Sequence, residues 1–368
     1  MIRLASVINT FEADFLAQYR HRLTSDHTRA LAAIKQCRTD ASPRMQVQCT
    51  GCEHRKLMPH SCGHRHCPHC QHHESQQWLE RQLKKQVPVE YFLLTFTLPA
   101  EFRALAWAHQ NVVYELLMRC CWETVRLFSH NDKQLQGTAG AIAVLHTNTR
   151  QLAYHPHVHL VMPAAAVDGE RKCWRTKRRG KQGGYLFNHK ALAKVFRAKM
   201  LAGIEAAGLA LPARYPTAWV VDCKSVGTGE KALVYLGRYL YRGVIREKDI
   251  VACTGTTVTF AYQDAKSGKT ERRTVSGADF LWLVLQHVLP KGFRRARNFG
   301  FLHPNCKRLI ALLHLLLRVV PSGSAAWFKA RAPILCPCCG AVMVIVKTRL
   351  RSVPCEVVPV PIVPAQVR

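Results

Sequence analysis

His157-Val158-His159 sits inside a run, Tyr154-His-Pro-His-Val-His-Leu-Val-Met-Pro163, whose alternation leaves little choice of local structure. His157, His159 and Val161 alternate with Val158, Leu160 and Met162, which is the period of a β-strand. Residues two apart on a strand share a face, so the two imidazoles converge while Val158 and Leu160 turn into a core. Two neutral imidazoles on one face can hold a divalent ion. With 19 histidines in 368 residues, about one His-x-His pair arises by chance, and the plainer reading is a pair of packed histidines. What lies elsewhere in the chain has to decide.

Glu230-Lys-Ala-Leu-Val-Tyr235-Leu-Gly-Arg-Tyr239-Leu-Tyr241-Arg242 is apolar at helical spacing and follows the breaker Gly227-Thr-Gly229. Tyr235 and Tyr239, four apart, fall on one helical face, and Tyr241 is rotated off it. The usual fate of aromatics at this spacing is core packing. Gly237 and Arg238 between them argue for a second role, because a small residue and a cation beside a phenol suit an approaching phosphate.

The charge balance narrows the partner. The chain has 53 Lys and Arg against 23 Asp and Glu, a net charge of +30. The excess is spread over Arg171 to Lys181, Arg294 to Arg297 and Arg349 to Arg351 rather than gathered in a tail, which suits a folded surface tracking a phosphate backbone. At 368 residues and 48% hydrophobic content, two or three domains are expected. No eighteen-residue uncharged apolar run occurs; Leu309 to Val320 is interrupted by His314 and Arg318. The first thirty residues carry Glu12, Asp14 and Asp26 and no apolar signal core, so neither a membrane nor secretion is expected, and the location reads as cytoplasmic.

Sixteen cysteines in such a chain point to metal rather than disulfides. Cys49-x2-Cys52, fourteen residues, then Cys67-x2-Cys70 has the spacing of two knuckles closing one zinc tetrahedron. Cys37 and Cys62 are left over in the same stretch, with several histidines, so a second metal or another choice of four ligands stays open. Near the other end Cys336-Pro-Cys338-Cys339-Gly340 resembles one knuckle without a second, Cys355 being the one later candidate; no metal is expected there. The isolated cysteines read as small buried hydrophobes.

Along the chain, residues 1–36 read as a helical segment with Phe11, Phe15 and Leu16 on one face, followed by a zinc-binding domain at 37–88. The succession of strands and helices from 89 to 305 runs β-α-β-β-α-β-α. That order suits an α+β fold, an antiparallel ferredoxin-like or RNA-recognition-like sheet with helices on one face. A helical segment at 306–335 and an end at 336–368, ribbon-like and then unstructured, complete the expectation.

Four stretches together resemble the two-tyrosine HUH transposases of the insertion sequence ninety-one family. They are Cys37-Arg-Thr with Cys49-x2-Cys52 and Ser61-Cys-Gly-His-Arg-His-Cys-Pro-His-Cys70; Tyr154-His-Pro-His-Val-His159; Tyr235-Leu-Gly-Arg-Tyr239 with Arg242; and His287-Val-Leu-Pro-Lys-Gly-Phe293 with Arg297 and Gly300. The resemblance covers most of residues 35 to 305. It implies an HUH nuclease core, structural Zn2+, and a bacterial enzyme of the nucleoid. It further implies Mg2+ or Mn2+ on His157 and His159, and Tyr235 and Tyr239 as nucleophiles that nick and rejoin single-stranded or hairpin element ends through 5′-phosphotyrosine. Glu230 or His155 is the candidate third ligand. Arg238, Arg242, Lys224, Lys291, Arg294 and Arg295 are candidate DNA contacts, with Lys224 able to assist a leaving oxygen. Two other readings stay open: a rolling-circle replication initiator or relaxase, and a zinc-dependent DNA-binding protein without catalysis.

Overall fold

The computed structural model describes residues 1–70, 72–177, 186–241, 243–264, 267–320 and 332–350. Among them the helices are α1 (Leu4–Tyr19), α2 (Ser25–Gln36), α3 (His72–Leu83), α4 (Arg103–Ala108), α5 (Gln110–Asn131), α6 (His189–Ala206), α7 (Glu230–Tyr241), α8 (Gly277–Leu285) and α9 (Lys307–Leu316). The strands are β1 (Arg44–Cys49), β2 (Arg55–Pro59), β3 (Tyr91–Thr97), β4 (Thr138–Asn148), β5 (Tyr154–Pro163), β6 (Ala165–Asp168) and β7 (Cys173–Thr176). They continue with β8 (Val221–Ser225), β9 (Ile250–Thr254), β10 (Thr257–Gln263), β11 (Thr270–Ser276), β12 (Ala296–Gly300), β13 (Ile334–Leu335) and β14 (Val342–Leu350). Two units result, one drawn from Met1–Lys35 and Gly63–Lys329, the other from Gln36–Cys62 and Ala330–Arg368.

In the larger unit a seven-stranded sheet runs β7-β6-β4-β5-β3-β8, with β12 also paired to β4, and its ladders are antiparallel. The central strands are apolar at both parities, so both faces need cover. Leu94, Phe96, Ala141, Ala143, Leu145, Val158, Leu160 and Met162 face a core shared with α5 and α6. Leu93, Ile142, Val144 and Val161 face a second core, with Trp78 and Leu79 of α3, Leu233, Leu236 and Leu240 of α7, and Ile310 and Leu313 of α9. Helices therefore pack on both faces, where the element order alone suggested one. The tyrosine helix lies on the same face as His157 and His159.

α7 starts where it does because of glycine. Gly229 has φ +81°, and a Cβ there would stand 2.6 Å from Cγ of Tyr91. The Tyr91 N–H donates to the Gly227 carbonyl at 2.7 Å, so the turn is tied to β3 before the helix begins. Gly237 plays a part different from the phosphate contact its neighbours suggested. It is buried, a Cβ on it would lie 3.2 Å from the Trp78 ring, and its carbonyl accepts a hydrogen bond from Ser75 Oγ at 3.0 Å. Its small size seats α7 against α3.

Gly237→Ala is therefore expected to lower the melting temperature. Overpacking against Trp78 costs about 1–3 kcal/mol, more than the roughly 1 kcal/mol gained in helix propensity. A thermal melt reads the sign, and a rise would show that Trp78 gives way freely.

The smaller unit is a four-stranded sheet in the order β13-β14-β1-β2, with Cys49 opposite Met343. Val47, Cys49, Cys336 and Met343 form its small core. The chain end expected to be an incomplete ribbon thus supplies two strands of this sheet as far as Leu350. The two halves lie almost 300 positions apart, which local spacing cannot reveal. Cys355 and the rest of the tail lie outside the described residues.

Candidate metal centre, tyrosine pair and zinc cluster

β4 and β5 bring a third histidine to the pair. In their register His146 stands opposite His157, and Val144 opposite His159. Counting by twos along β4, Ile142, Val144 and His146 share the face that carries His157, His159 and Val161. Ligand atoms of His146, His157 and His159 all lie within 4.8 Å of one another. Glu230 and His155, the candidates for third ligand, are not in this group. Glu230 lines a pocket with Leu83, Val87 and Val320 at the start of α7, and His155 Nδ1 lies 3.0 Å from the Arg103 guanidinium. The missed signal was a lone histidine closing the apolar run Ala141-Ile-Ala-Val-Leu-His146 on a neighbouring strand.

The donor chemistry fits a cation. His157 Nδ1 lies 2.7 Å from the His155 carbonyl, so it carries the proton and leaves Nε2 free to ligate. His146 is 1% exposed, and its Nε2 has no hydrogen-bond partner among the described residues. Such an orphaned buried nitrogen is costly unless something takes its lone pair. Burial, reinforced by His159 and His157, holds His146 well below the usual histidine range. Burial brings His157 to about 4 and, with His157 and Lys224 adding positive charge, His159 to about 3. All three imidazoles are thus neutral near pH 7, the form that binds metal.

Both tyrosines of α7 reach this cluster, in different ways. The Tyr239 ring stacks on His146, with centroids 3.3 Å apart and planes at 8°, and the Arg295 guanidinium lies 4.4 Å from the same ring. Its hydroxyl donates to Asn148 Oδ1 and accepts from the Thr147 N–H at 3.3 Å. Tyr235 is 49% exposed, with its ring centroid 6.1 Å from that of His146 and 6.0 Å from that of His159. Partial burial, with Tyr239 adding and Arg150 opposing, raises its phenol above the ordinary value. Tyr241 is partly buried and packs against the second core.

The basic candidates divide. Lys224, Arg238, Lys291 and Arg294 are exposed, and Lys224 is near enough to His159 to act on its charge. Arg295 is committed to the Tyr239 ring and to the Leu145 carbonyl, 3.1 Å from its Nε. Arg171 and Arg175 pair with Asp168, and Lys177 with Asp132. Arg242 and residues 178–184 of the basic insertion lie outside the described residues.

The cysteines do not form the single tetrahedron that their spacing suggested. Cys49 and Cys52 belong to the smaller unit, Cys67 and Cys70 to the larger. Cys49 and Cys52 are grouped instead with Cys336 and Cys339. Sγ of Cys49 and Cys339 are 3.4 Å apart; Cys52 lies 3.7 Å from both Cys336 and Cys339. Four sulfurs at Zn–S distances of about 2.3 Å define a tetrahedron with edges of about 3.8 Å, close to this spacing. The knuckle also has its amide donor, Gly51 N–H to Cys49 Sγ at 3.2 Å, and a Cβ at Gly51 would stand 2.9 Å from that of Ala341. Desolvation pushes the Cys336 thiol up, but the N–H groups of Cys338 and Cys339 and the neighbouring thiols outweigh it and bring it to about 6. That favours the thiolate at Cys336.

Comparisons with known proteins give the family. Residues 140–309 match the family described as "Putative transposase", and residues 7–98 the "Transposase zinc-binding domain". The chain belongs to the insertion sequence ninety-one family of transposases. It is 32% identical over 321 residues to "Putative transposase y4qJ" of Sinorhizobium fredii, covering 79% of each chain. It is 28% identical over 318 residues to the "Transposase for insertion sequence element IS801" of Pseudomonas savastanoi pv. phaseolicola, covering 80% of this chain and 76% of that one. Among solved structures, the conjugative relaxase TrwC in complex with mutant OriT DNA aligns at 18% identity and a TM-score of 0.27, over 35% of this chain and 48% of that one. The protein carries structural zinc and binds DNA, and no described helix is long and apolar enough to cross a membrane.

Proposed function

We propose that this transposase cuts and rejoins single-stranded DNA at element ends through a tyrosine–phosphate ester, in the manner of rolling-circle transposition. The observation that carries the reading is the convergence of three neutral histidines with two tyrosines four residues apart on one helix. His146, His157 and His159 would hold one divalent cation. An all-imidazole donor set disfavours Mg2+, which demands oxygen ligands, so Mn2+ is the better fit of the two. When bound, the ion stabilises negative charge gathering on the scissile phosphate.

The chain's own groups do the rest. A tyrosine Oη attacks phosphorus, the Oη–P bond forms, and the P–O3′ bond breaks. The phenol loses its proton and the departing 3′ oxygen ends as a hydroxyl. The product is a 5′-phosphotyrosine, whose ester bond is exchanged rather than hydrolysed, so rejoining needs no nucleotide triphosphate. Lys224 and Arg238, both exposed, would meet the phosphates flanking the cut.

His146→Ala tests the third ligand. It should remove Mn2+-dependent formation of an SDS-resistant adduct on a single-stranded terminus oligonucleotide while leaving DNA binding within about twofold. Adduct yield equal to wild type would take His146 out of the centre. Binding itself should weaken steeply with salt, because each phosphate contact contributes about 0.7 to the slope of log K against log salt on single strands. A slope below about 2 between low and physiological salt would leave the +30 charge without its proposed partner.

We infer also that two zinc ions are bound. With Cys49 and Cys52 grouped with Cys336 and Cys339, the Cys67-x2-Cys70 knuckle is left for a second ion.

A further inference from the structure

The two tyrosine hydroxyls are not equivalent, and the difference comes from three residues outside the histidine centre. Tyr239 Oη donates to Asn148 Oδ1, at the end of β4, and accepts from the Thr147 N–H. Thr147 is itself anchored. Its Oγ1 lies 3.2 Å from His287 Nδ1, and His287 Nε2 lies 3.0 Å from the Leu152 carbonyl. That carbonyl requires the proton on Nε2, which leaves Nδ1 to accept from the Thr147 hydroxyl. His287 and Thr147 are fully buried, and Gln286 donates to the same Leu152 carbonyl at 2.9 Å. The β4–β5 turn is thus pinned from the end of α8, and its pinned edge grips one phenol. Tyr235, one helical turn earlier, is half-exposed.

An amide oxygen can hold a phenolic proton but cannot remove it. A hydroxyl that donates to Asn148 and accepts from Thr147 has one lone pair left, and it must leave two hydrogen bonds to reach a phosphate. We propose that Asn148 is a positioning residue that holds Tyr239 out of the first attack, so that Tyr235 leads and Tyr239 follows after release. Resting on the phosphotyrosine reading, this adds an order to its two nucleophiles. Giving up the hydrogen bond to Asn148 sets the bias at about tenfold, the longer contact from the Thr147 N–H at 3.3 Å adding little.

The test uses the full-length protein with Mn2+ and a single-stranded terminus oligonucleotide, quenched early, the adduct peptide being mapped by mass spectrometry. In wild type the early adduct should sit on Tyr235 about ten times as often as on Tyr239. Asn148→Ala should bring the two to within about twofold. Asn148→Leu, which keeps the volume but offers no acceptor, should do the same, so a cavity effect of the alanine does not obscure the result. In a Tyr235→Phe background, Asn148→Leu should speed adduct formation through Tyr239 about tenfold. A purely structural Asn148 would slow both tyrosines alike. An unchanged ratio in both variants, or a slower Tyr239 in the Tyr235→Phe background, overturns the proposal while leaving the phosphotyrosine chemistry intact. Absence of any wild-type adduct overturns both.

Discussion

The double variant Tyr235→Phe, Tyr239→Phe is expected to form no covalent adduct with DNA at any metal concentration, while folding as the wild type does. Phenylalanine removes a hydroxyl and nothing else, so the stacking of residue 239 on His146 and its contact with Arg295 survive. The two single variants should differ in stability. Tyr235→Phe is close to neutral, because its hydroxyl is at a half-exposed position. Tyr239→Phe strands Asn148 Oδ1 and the Thr147 N–H, which costs about 1–3 kcal/mol if water does not replace the phenol. Tyr241→Phe should form the adduct normally, since Tyr241 is rotated off the helical face that Tyr235 and Tyr239 share. Residual cleavage in the double variant would assign the nucleophile elsewhere.

Cys336→Ser is expected to remove about one zinc ion per chain and unravel the small sheet, although Cys49 and Cys52 remain in place. Among the described residues, the buried core of the four-stranded sheet is Val47, Cys49, Cys336 and Met343, too little to hold four strands without a metal. Structural zinc contributes about 10–16 kcal/mol in small modules, more than such a sheet can replace. Cys67→Ser should remove the other ion and leave the small sheet standing. Metal analysis with hydrogen exchange on β1 and β14 reads both results. Full zinc content and protected strands in Cys336→Ser would return the assignment to Cys49, Cys52, Cys67 and Cys70.

The sequence made some of these relations readable and hid others for physical reasons. Strand alternation placed His157 and His159 on one face because side-chain period is a local property. Tyr235 and Tyr239 shared a face for the same reason, and Tyr241 did not. His146 was out of reach because its partnership depends on the β4–β5 register, in which a shift of one residue would turn it to the other face. Glu230 and His155 were the candidates that chemistry and sequence proximity offered, and neither falls in the histidine group. The zinc pairing failed in a similar way. Spacing identifies a knuckle but not its mate, and the mate of Cys49-x2-Cys52 comes from a strand pair near the other end of the chain. Gly237 read as a phosphate contact because smallness has two uses, and burial against Trp78 selects the other one.

Trapping the wild-type protein on a single-stranded terminus oligonucleotide with Mn2+, followed by peptide mapping, tests most directly whether this centre is a tyrosine nuclease. The modified residue should be Tyr235 or Tyr239, linked to the 5′ phosphate of the downstream fragment, and the yield should vanish on chelation of the metal. An adduct on Tyr241, a link through a 3′ phosphate, or cleavage without any covalent intermediate would contradict it.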